Sequence, residues 1–419
     1  MRFLLVTLGT FGDVYPFIHI GSELRRRGHD VRIIANPYFQ NVIQAEGFDF
    51  EPLGTIEQAE RYYNDPEMWH SKRFWKAGAE YMTLGPMRPT YEIISRLYVP
   101  NETVVAAVES AIGARIAHEK LGVPLATIHP AADKIRSVFR APVIPGLWMP
   151  QWMPRWFKSL LFWIADRLVV DPVFCPAINA FRAELGLPPI SRPYHGWWNS
   201  PQRVIGLYPK WFNPPQPDWP KQTVLTGFPI MASKDEEPLS NELLNFLSSG
   251  THPVVFSFGS INRHSKPLLK IAVDTCGLIN QPAVILAKDR SVLPNPLPAN
   301  VFHTSYVPFN SLFSRTSLLV HNGGLGTTSI AMRAGIPQII IPLAFGNANT
   351  AALTADLKVA TAMSPAKVTP KRLAECIKAT LQSKELTYAC KEIANKFDVA
   401  PIQRTCDLLQ ELAGQDCCA

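Results

Sequence analysis

Short apolar runs of strand length alternate with longer amphipathic stretches along this chain, and that rhythm restricts the fold more than any single motif does. The first fifty residues read "FLLVTLG" as a buried strand and "FGDVYP" as a turn. They continue with "FIHIGSELRRRGH" as a helix starting near Tyr15, "DVRIIAN" as a second strand and "PYFQNVIQAEGF" as a second helix. Strands that alternate with helices pair in parallel, because each crossover needs a helix to return the chain to the same end. The pattern returns at "TVVAAV", "ESAIGARIAHEKLG" and "VPLATIHP". It restarts at "PVVFSFGS" (253–260), followed by a helix over 266–279, "PAVILAK", "VFHTSYVP" and "SLLVHNGG". A chain of 419 residues exceeds one compact core. The expected fold class is α/β, with two doubly wound Rossmann-like domains facing a cleft, over 1–230 and 235–400. The polar stretch after "VLTGFP" reads as the linker, and the tail 401–419 is expected to pack back on the first domain.

One region breaks the rhythm. Residues 139–163, "FRAPVIPGLWMPQWMPRWFKSLLFW", are dense in Pro, Trp, Phe and Met. Proline at that density predicts loops and short helices, here an insertion on the first domain over about 135–200. Ordinary core packing and an apolar wall for a greasy substrate, in contact with a membrane surface, are both open readings. Lys and Arg total 41 against 34 acids, a formal net charge of +7 that suits anionic ligands or a negative membrane face. No run of five basic residues occurs, so nucleic acid is not an expected partner. The seven cysteines include no CxxC pair, which argues against a zinc site or a disulfide framework and for a reducing compartment. No stretch of about 18 apolar residues suggests a membrane span, and the opening apolar run reads as a strand rather than a signal peptide. The expected location is the cytoplasm, with peripheral contact at the inner face of its membrane.

The richest chemical signal is "HNGGLGTTSIAMRAGIPQIIIP" at 321–342, a strand end, a glycine turn and a helix beginning near Leu325 or Gly326. Free backbone N–H groups at a helix start, with the helix dipole behind them, favour an anion. Gly323, Gly324 and Gly326 would let a diphosphate approach the backbone, and Thr327, Thr328 and the His321 ring would add donors. Two other strand ends point the same way. Ser257 or Ser260 of "SFGS" can face the diphosphate, and Tyr306 with the Val307 backbone can hold a base. A tight packing turn is the plainer alternative for the glycines. No D-x-D sequence occurs, so leaving-group stabilisation needs no bound divalent metal, and neither metal nor cofactor is expected.

In the first domain "GTFGDVYPF" supplies Asp13 just past the first strand. It reads equally well as a general base on a substrate hydroxyl and as an N-cap of the following helix. His19 lies in an apolar stretch and reads as packing. His129 ends "LATIHP" with no visible partner, and His118 with Glu119 makes no metal motif.

"GTFGDVYPF" and the glycine segment together resemble the GT-B glycosyltransferases, in particular the nucleotide-sugar-dependent group that contains sterol and antibiotic glycosyltransferases. The stretches "ARIAHEKLGVP", "NSPQRVIGLYPKWFNPPQPDWP" and "LTGFP" resemble, more narrowly, the rhamnosyltransferases of bacterial rhamnolipid synthesis. The resemblance implies an inverting, metal-independent transfer from a nucleotide diphosphate sugar to a hydroxyl. It implies Asp13 as catalytic base and His321, Gly323, Gly324, Thr327 and Thr328 as diphosphate contacts, with Tyr306 and Val307 in the base pocket. Its narrower form implies dTDP-L-rhamnose as donor and a 3-(3-hydroxyalkanoyloxy)alkanoate as acceptor, giving a mono-rhamnolipid. The segment 139–163 would then be the acyl trough, with His129, Arg136, Arg140, Trp148 and Trp152 as acceptor contacts and Lys134 beside them. Relatives carry an acid followed by Gln to grip the sugar, where this chain has Gly346-Asn347 and a further amide at Asn349. The alternatives are a UDP-glucose-dependent transferase on a hydrophobic acceptor, a nucleotide-sugar epimerase, and a non-catalytic nucleotide-sugar-binding subunit.

Overall fold

A computed structural model describes residues 1–69, 74–144, 147–230, 238–248, 250–259, 266–279, 281–343, 346–398 and 400–414. It divides into two compact units, residues 1–229 with 399–419, and residues 230–398.

The first unit holds seven parallel strands: β1 (Arg2–Val6), β2 (Asp30–Ala35), β3 (Asp49–Pro52), β4 (Thr103–Val108), β5 (Leu125–His129), β6 (Arg203–Gly206) and β7 (Thr223–Leu225). Their spatial order is β3-β2-β1-β4-β5-β6-β7. Phe3, Leu4, Leu5 and Val6 are each 0% exposed and β4 is buried throughout. Central strands covered by helices on both faces must read as continuous apolar runs, which is why "FLLV" and "TVVAAV" show no alternation. The helix Pro401–Ala413 belongs to this unit. It lies against the helix Phe11–Arg26, with Cys406 Sγ 3.5 Å from the Ile20 carbonyl and Arg27 paired to Asp407 at 2.6 Å.

The second unit holds β8 (Val254–Ser257), β9 (Ala283–Leu286), β10 (Val301–Thr304), β11 (Leu318–His321), β12 (Gln338–Ile340) and β13 (Ala360–Ala362), also parallel. Their order is β10-β9-β8-β11-β12-β13. In both sheets the chain starts in the middle, runs to one edge, and returns to build the other half. The direction reverses between β1 and β4 and between β8 and β11. Ligands of such sheets bind outside the carboxyl ends of the strands at that reversal.

Residues 155–184 depart from the expected loops and short helices. Helices Arg155–Ala165 and Asp171–Glu184 join through one π-turn, Asp166–Val170, into a single helical run. The π-turn closes with the Asp171 N–H donating to the Asp166 carbonyl. It is placed where the next residue, Pro172, has no N–H to offer and its ring would crowd the preceding turn. Proline is thus absorbed rather than obeyed as a stop. Among the described residues no helix is long and apolar enough to cross a membrane.

Candidate active site

At the carboxyl end of β1 the chain turns at Gly9, whose φ of +112° favours glycine. A Cβ there would lie 2.4 Å from Asp13 Oδ2, so the bare backbone also makes room for this carboxylate. The helix starts at Phe11 with Thr10 as N-cap, four residues earlier than the apolar periodicity suggests. Asp13 is therefore not the N-cap but the third helical residue. Its Oδ2 accepts from the Thr10 backbone N–H at 2.8 Å and the Thr10 hydroxyl at 3.1 Å. Its Oδ1 carries no hydrogen bond among the described residues. Capping and proton transfer thus fall to different oxygens of one carboxylate.

Asp13 has charged company that sequence reasoning did not assemble. Glu109 follows β4, the strand paired to β1. It is 6% exposed, with Oε1 3.8 Å from Lys134 Nζ and Oε2 3.8 Å from His129 Nδ1. His129 ends β5 and is 0% exposed. Its Nε2 lies 2.7 Å from Asn199 Oδ1, an acceptor, which puts the ring proton on Nε2. His129 thus has the partner the sequence did not reveal, and it lies in the interior rather than at an acceptor surface. Burial pushes the Asp13 carboxyl up to about 6, with Glu109 adding to the rise and the Thr10 bonds and Lys134 opposing it. Burial also raises Glu109 and pushes His129 down to about 4. A carboxylate poised near neutrality with one oxygen free is what a general base requires. The sequence signal for Glu109 was present: an acid directly after a wholly buried strand, at the same end of the sheet as the loop that carries Asp13.

In the second unit β11 ends at His321, in register with Ser257 of β8 and Ile340 of β12. The His321 ring is 0% exposed and turned into the fold. Its Nδ1 accepts from the Gly323 N–H at 3.3 Å and its Nε2 donates to Gln338 Oε1 at 3.0 Å. Both nitrogens are engaged internally, so the expectation that this ring donates to a ligand is corrected. His321 instead holds the turn from beneath. Gly323 has φ +88°, and a Cβ there would come 2.7 Å from Ile340 Cγ2 and 3.2 Å from the Asn347 carbonyl oxygen. Gly323 is thus a structural requirement, and it joins the turn to the start of the helix Asn347–Asp356.

The helix Leu325–Arg333 begins immediately after, with Gly324 as N-cap. A Cβ added at Gly324 or Gly326 meets nothing within 4 Å. The first N–H groups of a helix have no intrahelical acceptor, so those of Leu325, Gly326 and Thr327 face that open space. Thr327 stays partly exposed there, whereas Thr328 is buried and donates its hydroxyl to the Gly324 carbonyl at 2.9 Å. Thr328 is therefore corrected from ligand donor to helix residue. Asn347 is partly exposed at its helix start, while Asn349 is 6% exposed and points into the fold. Tyr306 is 69% exposed beyond the end of β10, and the Val307 side chain is buried in the core with Leu312 and Phe313, leaving its backbone for a ligand. Ser260 lies outside the described residues, and Ser257 is 9% exposed.

The remaining positions scatter. Arg136 is committed to Asp166, which is 0% exposed and also bonded by Arg192, so its expected role as an acceptor contact is corrected. Arg140 is partly exposed. Trp148 and Trp152 are 71% and 75% exposed and form no closed pocket among the described residues. His19 bonds the Pro229 carbonyl at 3.0 Å and His118 the Val123 carbonyl at 2.8 Å, both structural.

Burial pushes His321, like His129, down to about 4, so both imidazoles are neutral at pH 7. A histidine whose folded pKa falls below its unfolded value contributes stability that is present above pH ~6.5 and lost as the pH falls toward the folded value. Each depression corresponds to ~3 kcal/mol. Asp13 acts oppositely, since its raised pKa favours the folded state in acid. In the first unit the raised Asp13 and Glu109 carboxyls offset His129, so the loss in thermal melts between pH 6.5 and 4 is expected in the second unit, from His321. His321→Gln should flatten part of that loss in the second unit, and an unchanged profile would show that the ring titrates freely.

Comparison with known proteins adds family to geometry. Residues 3–140 match the glycosyltransferase family 28 N-terminal domain, and residues 272–408 match the erythromycin biosynthesis protein CIII-like C-terminal domain. Glycosyltransferase GtfE of Amycolatopsis orientalis is 31% identical over 359 residues, 82% of this chain and 81% of the relative. The O-mycaminosyltylonolide 6-deoxyallosyltransferase of Streptomyces fradiae is 28% identical over 359 residues, with the same coverage. Among solved structures, glycosyltransferase VinC in complex with dTDP superposes with a TM-score of 0.69 at 18% identity, covering 99% of each chain. The non-catalytic reading therefore falls away. Two Rossmann-like units, a base-like carboxylate in one and an open anion-ready helix start in the other mark an enzyme, and the chain belongs to the nucleotide-sugar-dependent GT-B glycosyltransferases, related to those that glycosylate antibiotics.

Proposed function

We propose that this enzyme transfers L-rhamnose from dTDP-L-rhamnose, with inversion and without a metal, to the hydroxyl of a 3-(3-hydroxyalkanoyloxy)alkanoate. The observation that carries the donor side is the helix start at Leu325, where two glycines leave open space over unpaired N–H groups. In the reaction the Asp13 carboxylate takes the acceptor hydroxyl's proton as that oxygen attacks the anomeric carbon. The C–O bond to the nucleotide diphosphate breaks, and the released charge is met by the backbone donors of residues 325–327 and the helix dipole. Fixed dipoles of this kind need no cation, which supports the metal-free reading.

The sugar is argued from the donor loop. Gly346-Asn347 offers one amide and no carboxylate, fewer polar grips than an acid-Gln pair, which suits a 6-deoxy sugar that has a methyl in place of a hydroxymethyl. The 6-deoxyallosyl relative and the dTDP complex of the structural neighbour support that class of donor. The acceptor rests on the narrower sequence resemblance. Purified protein given the hydroxy-acyl acceptor with dTDP-L-rhamnose or UDP-glucose is expected to yield the rhamnosylated mass with the first donor. Product from UDP-glucose alone would overturn the donor while leaving the mechanism in place. Formation of free nucleotide at equal rates with and without EDTA checks the absence of a metal.

A further inference from the structure

The run of residues from Trp148 to Val169 has a surface that neither the donor site nor Asp13 explains. Trp148, Trp152, Trp156, Leu160, Trp163 and Leu168 are 71%, 75%, 70%, 42%, 47% and 73% exposed. Positions 156, 160 and 163 recur at helical spacing, so they share one side of the helix that starts at Arg155, and Leu168 follows in the π-turn. The opposite side of that helix is apolar as well, with Phe162 packed on Met149 and Met153 and flanked by Phe157 and Leu161. Large apolar side chains gathered on the exposed side of a helix normally have a covering partner, and scattered exposed residues do not account for so dense a cluster.

Charge decides what covers it. Between Trp148 and Val169 the basic residues are Arg155, Lys158 and Arg167, and the one acid, Asp166, is buried and paired to Arg136 and Arg192. Arg155 is exposed and lies 4.2 Å over the Phe139 ring, without a carboxylate partner among the described residues. Lys158 is 1% exposed, and its Nζ donates to the Gln151 carbonyl at 3.0 Å. These two cations beside a tryptophan-rich face lack a counter-charge among the described residues. A second copy of the chain would fit poorly, because a two-fold contact on this patch would bring Arg155 toward its like-charged equivalent with no acid to offset it. An anionic bilayer supplies both missing elements, apolar depth for the rings and negative headgroups for the exposed Arg155.

We propose that the surface from Trp148 to Val169 docks this enzyme on an anionic lipid bilayer, with the indole rings at the headgroup level and the helix from Arg155 lying in the membrane plane. The attachment is peripheral and reversible, and it weakens with salt.

The test is co-sedimentation of the full chain with vesicles of phosphatidylcholine alone or mixed with phosphatidylglycerol. Tryptophan emission and its quenching by brominated lipid are followed in parallel, with no sugar donor present. Binding is expected on the mixed vesicles, with a blue-shifted, quenched emission, and much weaker binding on phosphatidylcholine or in high salt. Trp156→Ser with Leu168→Ser should lower partitioning by about tenfold or more, since each removes a buried apolar side chain. Both positions are exposed, so the fold should persist, checked by circular dichroism and by unchanged dTDP affinity. Arg155→Glu should remove most of the preference for anionic lipid. Absence of binding at every composition, equal binding of the double variant, or a reversible dimer abolished by the same substitutions would overturn the proposal. None of these readings depends on turnover, so they stand or fall apart from the donor and acceptor assignment.

Discussion

Asp13→Asn is expected to leave the fold intact and lower turnover by roughly two to four orders of magnitude. The amide oxygen of asparagine still accepts from the Thr10 N–H that Asp13 Oδ2 caps at 2.8 Å, so the helix start keeps its partner. What disappears is the unpaired Oδ1 as a proton acceptor. Asp13→Ala removes both functions and should also cost about 1 kcal/mol of stability, as the loss of a helix cap does. The pair of variants therefore separates structure from chemistry. The pH profile supplies a second readout. A base with a pKa of about 6 is competent only when ionised, so kcat/KM for the acceptor should rise as the pH increases through that value and level off above it. Full turnover in Asp13→Asn would reduce Asp13 to a cap, and the neighbouring Glu109 would become the next carboxylate to test.

Asp13 also shows how far the residues alone could be read. Its place after a buried apolar strand was legible, because parallel strands covered on both faces have to be continuous runs of Val, Leu and Ile. Its helical position was not, because the first apolar turn of the helix lies later than the helix start. Thr10 and Asp13, three residues apart, are the signature of a cap reached by its third residue, and that spacing rather than the apolar stripe locates the start. His129 was visible at a strand end, whereas Glu109 passed as the first residue of a helix. Their approach to 3.8 Å depends on the β4–β5 pairing, which no local pattern encodes. His321 carries the same lesson in reverse. Its location at the glycine turn was correct, but the direction of its ring is set by Gln338, brought alongside by the β11–β12 register. The run 155–184 failed for another reason: proline disfavours a regular helix only where no π-turn takes up the missing hydrogen bond.

Gly326→Ala should make the protein more stable and bind its donor less well, a combination that a purely structural glycine cannot give. Gly326 is the second residue of the helix Leu325–Arg333, and a methyl there meets no atom within 4 Å. Alanine is the better helix former by up to about 1 kcal/mol, so the melting temperature without ligand should hold or rise. The same methyl would stand over the N–H groups of the first turn. A diphosphate held there loses charge-assisted hydrogen bonds worth about 1.5–3 kcal/mol each, so dTDP affinity should fall tenfold or more. Gly323→Ala provides the contrast, since its φ of +88° and the 2.7 Å approach to Ile340 Cγ2 make any side chain destabilising before a ligand arrives. Melting curves without ligand and dTDP titrations on both variants separate a turn that needs glycine for its backbone from a helix start that needs it for its ligand. If Gly326→Ala bound dTDP as tightly as the parent, the open space above Leu325 would not be where the diphosphate lies. The donor would then have to be sought at the ends of β8 and β10, where Ser257 and Tyr306 stand.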